Sequence, residues 1–416
     1  MKICALIQTP YRELPSDFEK RYVSAVTPPY WDLVAPEKVR QCYLWTLEEL
    51  TAAARAGFDG VAMTEHSQNT YDMMPNPNLL MSPLALQTQD LNTALVVLGT
   101  SVGKSHQPLR LAEEYALIDT LSNGRLVAGL PLGLGYDAGL NYGIPPIELR
   151  ARYREAHDLI LKAWSAREPF AWNGKYWQFP LVNLWPRPIQ QPRPVVWVPG
   201  SGTPGTINRV LDNNFGYVHL SWFGPKLGGK IVMDRFWDIV DKRGDAANPL
   251  RVGFLQNVVV SETDAQAEAD YAEHVEYFFH KCIGAIPPQY LTPPGYIDYF
   301  GLEQLFKDPR EVELAARWGQ MRYRDFVDNQ IVIGGSPATV RDQLLEMVNS
   351  LRVGNLLLMV QMGSMPHELA LKNIDLLARE VLPALRGVWE EDWQHEWWPE
   401  ALRGARQPAT ALTGVA

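Results

Sequence analysis

The chain has 416 residues, 46% apolar, 11% aromatic and 20% charged, a composition that excludes wholesale disorder and leaves ample material for a large core. Its 38 basic and 47 acidic residues give a net charge of −9, which argues against a nucleic-acid binder. Cys4, Cys42 and Cys282 are widely spaced, no C-x-x-C occurs, and neither a signal peptide nor a membrane-length apolar run is visible; the expectation is a reduced cytoplasmic protein without a disulfide framework, cysteine zinc site or membrane contact.

Taken in chain order, short apolar runs predict strands at 3–8, 60–64, 95–102, 126–130, 195–198, 217–221, 252–260 and 355–361. Most are β-branched and lack polar alternation, as parallel strands buried on both faces do. Helical patterns lie between them. Residues 36–56 carry Val39, Tyr43, Leu47 and Leu50 on one face, and residues 111–121 stop at Asn123-Gly124. Residues 261–281 open with Thr263 and Gln266 spaced as a capping box, and Ser336-Pro337 reads as the start of a helix reaching 349. Eight strands alternating with helices fit a (β/α)8 TIM barrel or an open doubly wound sheet, and the strand count favours the barrel. The segments 8–35, 131–194 and 262–335 are long and rich in Pro, Gly and aromatics, so lids are expected at the catalytic face. The reading is one elaborated barrel over 1–386 with insertions near 131–194 and 262–335, then a tail at 387–416. In the tail Trp389, Trp393 and Trp397 repeat at helical spacing beside Trp398, predicting an aromatic helix face docked on the body or a second subunit, with a substrate lid as the alternative.

Three local patterns carry chemistry. Gly200-Ser201-Gly202-Thr203, followed by Thr206, comes after a strand and before a helix; small residues and hydroxyls there suit an anion, although a flexible turn is the competing reading. The Lys of a P-loop is missing, so an ATPase fails on chemistry. Gly129 to Gly139 is glycine-rich but mis-spaced for a dinucleotide fingerprint, and no clear helix opens there; close approach to a flat ligand remains open. Glu65-His66 ends a strand, placing an imidazole at the catalytic face unless it is a structural histidine, and His106 has a similar position after the third strand. The eight histidines show no metal-ligand spacing, and no nucleophile elbow is present.

The run from Pro108 to Gly129 (PLRLAEEYALIDTLSNGRLVAG) resembles the bacterial luciferase-like flavin monooxygenases almost position by position. Similar matches follow in family order: Glu65-His66, Leu98-Gly99-Thr100-Ser101-Val102, the segments 174–179 and 185–192, Gly335 to Val340, and Glu380 to Leu385. The resemblance implies a barrel that binds flavin at the C-terminal ends of its strands. Gly99, Thr100 and Ser101 would line the flavin ring, often beside an unusual cis peptide. His66 would serve oxygen chemistry next to Glu65, Tyr136 would join the cofactor site, and Gly200, Ser201, Gly202, Thr203 and Thr206 would hold the phosphate. Two departures stand out. Pro131 and Leu132 replace a reactive Cys and a phosphate-binding Arg, leaving Arg209 and Lys230 as substitute cations, and Ser67 replaces a second His.

The implied activity is a two-component monooxygenase that takes reduced FMN from a separate NAD(P)H:flavin reductase. With dioxygen it would oxygenate a small, largely apolar organic substrate through a flavin peroxide. Tyr11, Tyr30, Trp31, Tyr136 and Trp222 are the expected pocket walls. The resemblance also implies a homodimer through helices near the barrel's start, with Val39, Tyr43 and Leu47 serving either that interface or the core. The alternatives are a deazaflavin-dependent hydride-transfer enzyme of the same fold, a non-catalytic flavin-binding barrel, and a flavin-free hydrolase, which lacks a visible metal site or carboxylate pair.

Overall fold

The structure is a computed structural model that describes residues 1–104, 107–297, 299–406 and 412, so His106 lies outside the described residues. Its strands in chain order are β1 (Lys2–Ile7), β2 (Gly60–Met63), β3 (Ala94–Val97), β4 (Leu126–Gly129), β5 (Phe170–Asn173), β6 (Gln178–Val182), β7 (Val195–Gly200), β8 (Gly216–His219), β9 (Val252–Val260), β10 (Val332–Gly335) and β11 (Asn355–Met359). Eight of them, β1, β2, β3, β4, β7, β8, β9 and β11, pair in parallel and close on themselves through β8–β9 and β11–β1. This is the (β/α)8 barrel, with strands near the eight predicted positions. Cys4, Leu6, Val96, Val127, Trp197 and Leu357 belong to one buried cluster, and their sequence neighbours Ile3, Ala5, Leu95, Leu126, Val196 and Leu356 to another. The strand period of two thus feeds both the barrel interior and the helical jacket.

Two features escape the apolar-run criterion. β10 is short and ends in two glycines, yet it extends the sheet in parallel along the later half of β9, Val332 opposite Asn257 through Gly335 opposite Val260. β5 and β6 form an antiparallel hairpin within the 131–194 segment. Its turn is fixed by Glu155, whose carboxylate accepts the backbone N–H groups of Lys175, Tyr176 and Trp177.

The helix starts follow local chemistry. The Thr263 and Ser336 side chains accept from the backbone N–H of Gln266 and Thr339, capping Asp264–Tyr277 and Pro337–Leu351. The helix Pro36–Ala56 ends on Gly57, whose φ of 105° closes it in a left-handed cap. Val39, Tyr43 and Leu47 of this helix are partly buried and pack against the core clusters.

The tryptophan tail does not form the expected helix: residues 387–399 run through turns and irregular chain. Trp389 takes a left-handed φ of 67°, which breaks a helical path, and the indoles are anchored one by one. Trp389 Nε1 donates to Val353 O and Trp397 Nε1 to Asn214 Oδ1. Trp398 is buried against Trp197, with ring centroids 5.8 Å apart, and Trp197 Nε1 donates to Trp397 O at 2.9 Å. The tail therefore closes the barrel end opposite the strand C-termini. All three cysteines are buried and unpaired. Among the described residues no helix is long and apolar enough to cross a membrane.

Candidate active site

The strand order β1-β2-β3-β4-β7-β8 sets the C-terminal ends of β2, β3, β4 and β7 side by side. Glu65-His66, Gly99-Thr100-Ser101, the Pro131 to Asp137 segment and the Gly200 loop therefore share one arc of the barrel mouth. Packing along this arc is tight: a Cβ on Gly99 would collide with the backbone nitrogen of Glu65, so glycine is required where β3 leaves the sheet beside β2.

His66 is built into a buried polar network. Its Nδ1 lies 3.0 Å from Asp137 Oδ2, and Asp137 Oδ1 accepts the Ser67 backbone N–H at 3.0 Å. Asp137 comes from a five-residue helix, Gly135–Gly139, in the glycine-rich run where the sequence showed no clear helix. Five residues are too few for a visible period, which is why the pattern missed it. The same short helix delivers Tyr136. That residue is fully buried, with its hydroxyl 2.6 Å from Tyr71 Oη and 3.4 Å from His66 Nδ1. Tyr136 thus sits behind the histidine.

Lys104, which carried no sequence signal, completes the cluster. Its Nζ is 2.7 Å from Glu65 Oε1, 3.3 Å from Ser67 Oγ and 4.0 Å from Asp137 Oδ1. Burial raises the Glu65 carboxyl, and the Lys104 charge only partly pulls it back. Burial lowers His66, but the Asp137 hydrogen bond and charge outweigh it, so the imidazole is held above its ordinary value. With Nδ1 facing a carboxylate, Nε2 is the ring atom left to give or take a proton. Nearby Asp72, raised to about 6 by burial, accepts from Thr9 N and Thr64 Oγ1.

The remaining predicted cofactor residues are distributed around this cluster. Thr100 and Ser101 directly follow Gly99, and the Ser101 hydroxyl donates to Leu132 O at 2.7 Å, tying the exits of β3 and β4 together. The cis bonds among the described residues are Trp185–Pro186 and Gln191–Pro192, so the implied unusual cis peptide near Gly99 is absent. In the loop expected to hold phosphate, Thr203 is the N-cap of the helix Pro204–Asp212 and accepts from Thr206 N; Ser201 stands exposed. Gly202 has φ +67°, and a side chain there would collide with Val232 and meet the Tyr217 hydroxyl at 2.9 Å. Of the substitute cations, Arg209 pairs with Asp158 and Lys230 with Asp234.

The expected substrate residues do not form one wall. Tyr11, in the 8–35 segment, is buried, and its backbone carbonyl accepts from Tyr277 Oη. Tyr30 and Trp31 pair edge-on, 5.2 Å apart, in the exposed four-residue helix Tyr30–Leu33. Trp222 is half-buried against Phe278.

A further polar set carries no motif in the sequence. Gln8, Asn257 and Gln361 continue the inward registers of β1, β9 and β11, and each is at most 2% exposed. Their side-chain oxygens Gln8 Oε1, Asn257 Oδ1 and Gln361 Oε1 are buried without a hydrogen-bond partner. Buried orphans at a barrel mouth are what a polar ligand satisfies. An amide interrupting or following an apolar run at inward parity was the available signal.

The luciferase-like monooxygenase family matches the chain over residues 45–353. The chain belongs to this family. Relatives include 2,5-diketocamphane 1,2-monooxygenase 2 of Pseudomonas putida, 23% identical over 83% of this chain and 95% of that protein. The oxygenase component of a flavin-dependent trigonelline monooxygenase of Acinetobacter baylyi is 32% identical over 38% of this chain and 43% of its own length. The fold is shared with the FMN complex of a 3,6-diketocamphane monooxygenase from Pseudomonas putida, at TM-score 0.65 and 19% identity over 92% of this chain and 98% of that one. It is also shared with an F420-dependent secondary alcohol dehydrogenase, at TM-score 0.62 and 16% identity over 92% and 99%. Members of this fold thus work with flavin and with deazaflavin. The run from Pro108 to Gly129 that resembles the family forms the helix Pro108–Leu121 and strand β4.

Proposed function

We propose that this protein is the oxygenase of a two-component FMN-dependent monooxygenase that oxygenates a small organic substrate. The observation that carries the reading is the His66–Asp137 pair at the mouth of a luciferase-like barrel, beside glycine-lined exits and unsatisfied amides. The site fits a flavin: a flat ring needs the close backbone approach that Gly99 permits, and its polar edge matches orphaned atoms such as Gln361 Oε1. Gly200, Ser201, Gly202, Thr203 and Thr206 would hold the phosphate at a helix N-terminus. Reduced FMN, when bound, supplies the electrons that activate dioxygen; a separate NAD(P)H:flavin reductase is its source in this reading.

The chain's own residues orient and shield. Asp137 fixes the His66 ring through Nδ1, which leaves Nε2 as the atom that would exchange a proton with the bound reactants. Lys104 lies between Glu65 at 2.7 Å and Asp137 at 4.0 Å, while Asp137 keeps the shorter contact with His66 at 3.0 Å. Tyr71 and Tyr136, buried behind the imidazole, exclude water from its back. Tyr11, Tyr30, Trp31 and Trp222 belong to the segments after β1 and β8, and they would reach an apolar substrate when those segments close over it. A cytoplasmic setting accords with three buried, unpaired cysteines. A homodimer accords with the exposed Leu79 and Leu86 of helix Pro77–Gln87 beside the exposed Leu117 and Leu121 of helix Pro108–Leu121, two helices that pack together.

The test is anaerobic titration with reduced FMN and with reduced deazaflavin, followed by rapid mixing with oxygenated buffer. Tight binding of reduced FMN, and oxidation kinetics unlike free flavin that revert in His66→Ala, are expected. Selective binding of deazaflavin would replace the reading with hydride transfer. Flavin binding without altered oxidation would leave a non-catalytic carrier, which the intact His66–Asp137 pair argues against.

A further inference from the structure

The phosphate loop lacks the arginine that its family would place at Leu132, and both substitutes suggested by sequence are committed elsewhere. Arg209 sits in the last turn of helix Pro204–Asp212, away from the loop, with Asp158 at 2.6 Å. Lys230 is on the surface with Asp234. Arg193 donates to the carbonyls of Pro194 and Asn213. His219 approaches Gly200 O, but burial lowers it to about 4, so it is uncharged at neutral pH.

One cation does reach the loop. Arg235, on the helix Lys230–Arg243, donates from Nη1 to Gly202 O at 3.0 Å. Its guanidinium lies over the Phe300 ring, 4.8 Å from the centroid. One turn earlier on the same helix, Val232 packs where a Gly202 side chain would stand, so the left-handed turn of the loop and the position of Arg235 are set by one element. Among the described residues Arg235 makes no ion pair. Its acidic neighbour is Glu311, a carboxyl held above its usual range first by burial.

We infer that Arg235 is the phosphate-binding cation of this protein, and that it sets a preference for FMN over unphosphorylated riboflavin. A guanidinium has five N–H donors, and the bond to Gly202 O leaves others in the fork for a phosphate oxygen. The same bond draws off the negative end of a carbonyl that would otherwise repel an anion beside Ser201 and Thr203. The arginine lost after β4 is thus replaced from the helix after β8, on the other side of the loop. This inference rests on the proposed FMN reading.

The experiment measures FMN and riboflavin binding by flavin fluorescence at low and high salt, for the wild-type protein and for Arg235→Met, Arg235→Gln, Arg235→Lys and Lys230→Met. The wild type and Lys230→Met are expected to bind FMN about tenfold or more tightly over riboflavin, with the preference weakened by salt. Arg235→Met and Arg235→Gln should bring the two ligands together while leaving riboflavin affinity in place, and Arg235→Lys should keep part of the preference. Gln keeps a donor for Gly202 O without the charge, so an undiminished preference in Arg235→Gln would reduce Arg235 to a scaffold and overturn the inference. The inference falls equally if Arg235→Met discriminates like wild type; FMN binding, and with it the proposed function, would then stand. If the wild type binds neither flavin, the proposed function itself fails and the inference with it. Should Arg235→Met not fold, the Gln and Lys variants carry the comparison.

Discussion

The two ends of the barrel both bury charge, and they treat it differently. At the closed end the amino terminus, Lys2, Asp59, Glu390 and Arg406 are joined by ion pairs in which every member meets an opposite charge. Trp398 plugs the space between them and Trp197. At the open end Lys104 must serve both Glu65 and Asp137, His66 leans on the second, and Gln8, Asn257 and Gln361 leave oxygens unpaired. Satisfied polar groups stabilise a fold; unsatisfied ones mark where a ligand completes it. The difference teaches which charges belong to folding and which to chemistry.

The largest effect should come from the closed end. Trp398→Ala removes a fully buried indole and is expected to cost about 3–5 kcal/mol of stability by denaturant titration, while the folded fraction keeps its flavin affinity. A change in affinity without a change in stability would break the contrast between the two ends. Lys104→Met should be nearly as damaging, about 3–5 kcal/mol, because Glu65 is left buried and unpaired. Adding Glu65→Gln should restore much of that loss, and a double variant as unstable as the single would show that the ion pair is not the cause.

His66→Ala should lower turnover by about 10²–10⁴-fold while moving stability little. Asp137→Asn should act more mildly on rate and visibly on pH. His66 is held above its ordinary value, so its contribution to stability is complete below the unfolded value. That contribution fades as pH rises through the folded one. Asp137→Asn should lower the imidazole titration followed by NMR and shift that loss to lower pH. An unmoved titration would separate Asp137 from His66. The smallest effect belongs to exposed pairs such as Lys242 and Asp238, where Lys242→Ala should change stability by under about 1 kcal/mol.

Much of this was determined by sequence alone. The eight barrel strands were legible because parallel strands buried on both faces are continuous apolar runs. The starts of the helices after Thr263 and Ser336 were legible because capping is local chemistry between neighbours. The ordered family motifs identified Glu65-His66, Gly99 and the Gly200 loop as places of interest. Tertiary structure decided what sequence spacing does not encode. β10 is a strand because β9 offers it a free edge, and the tail turns rather than coils as the Trp389 and Trp397 indoles reach a carbonyl and an amide on the barrel end and Trp398 packs on Trp197. Asp137 meets His66 across 71 positions, Lys104 meets Glu65 across a neighbouring strand exit, and Arg235 reaches Gly202 from 33 residues away. Periodicity and capping act over a few residues. Charge pairing acts through space, and only the closed barrel brings those partners within reach.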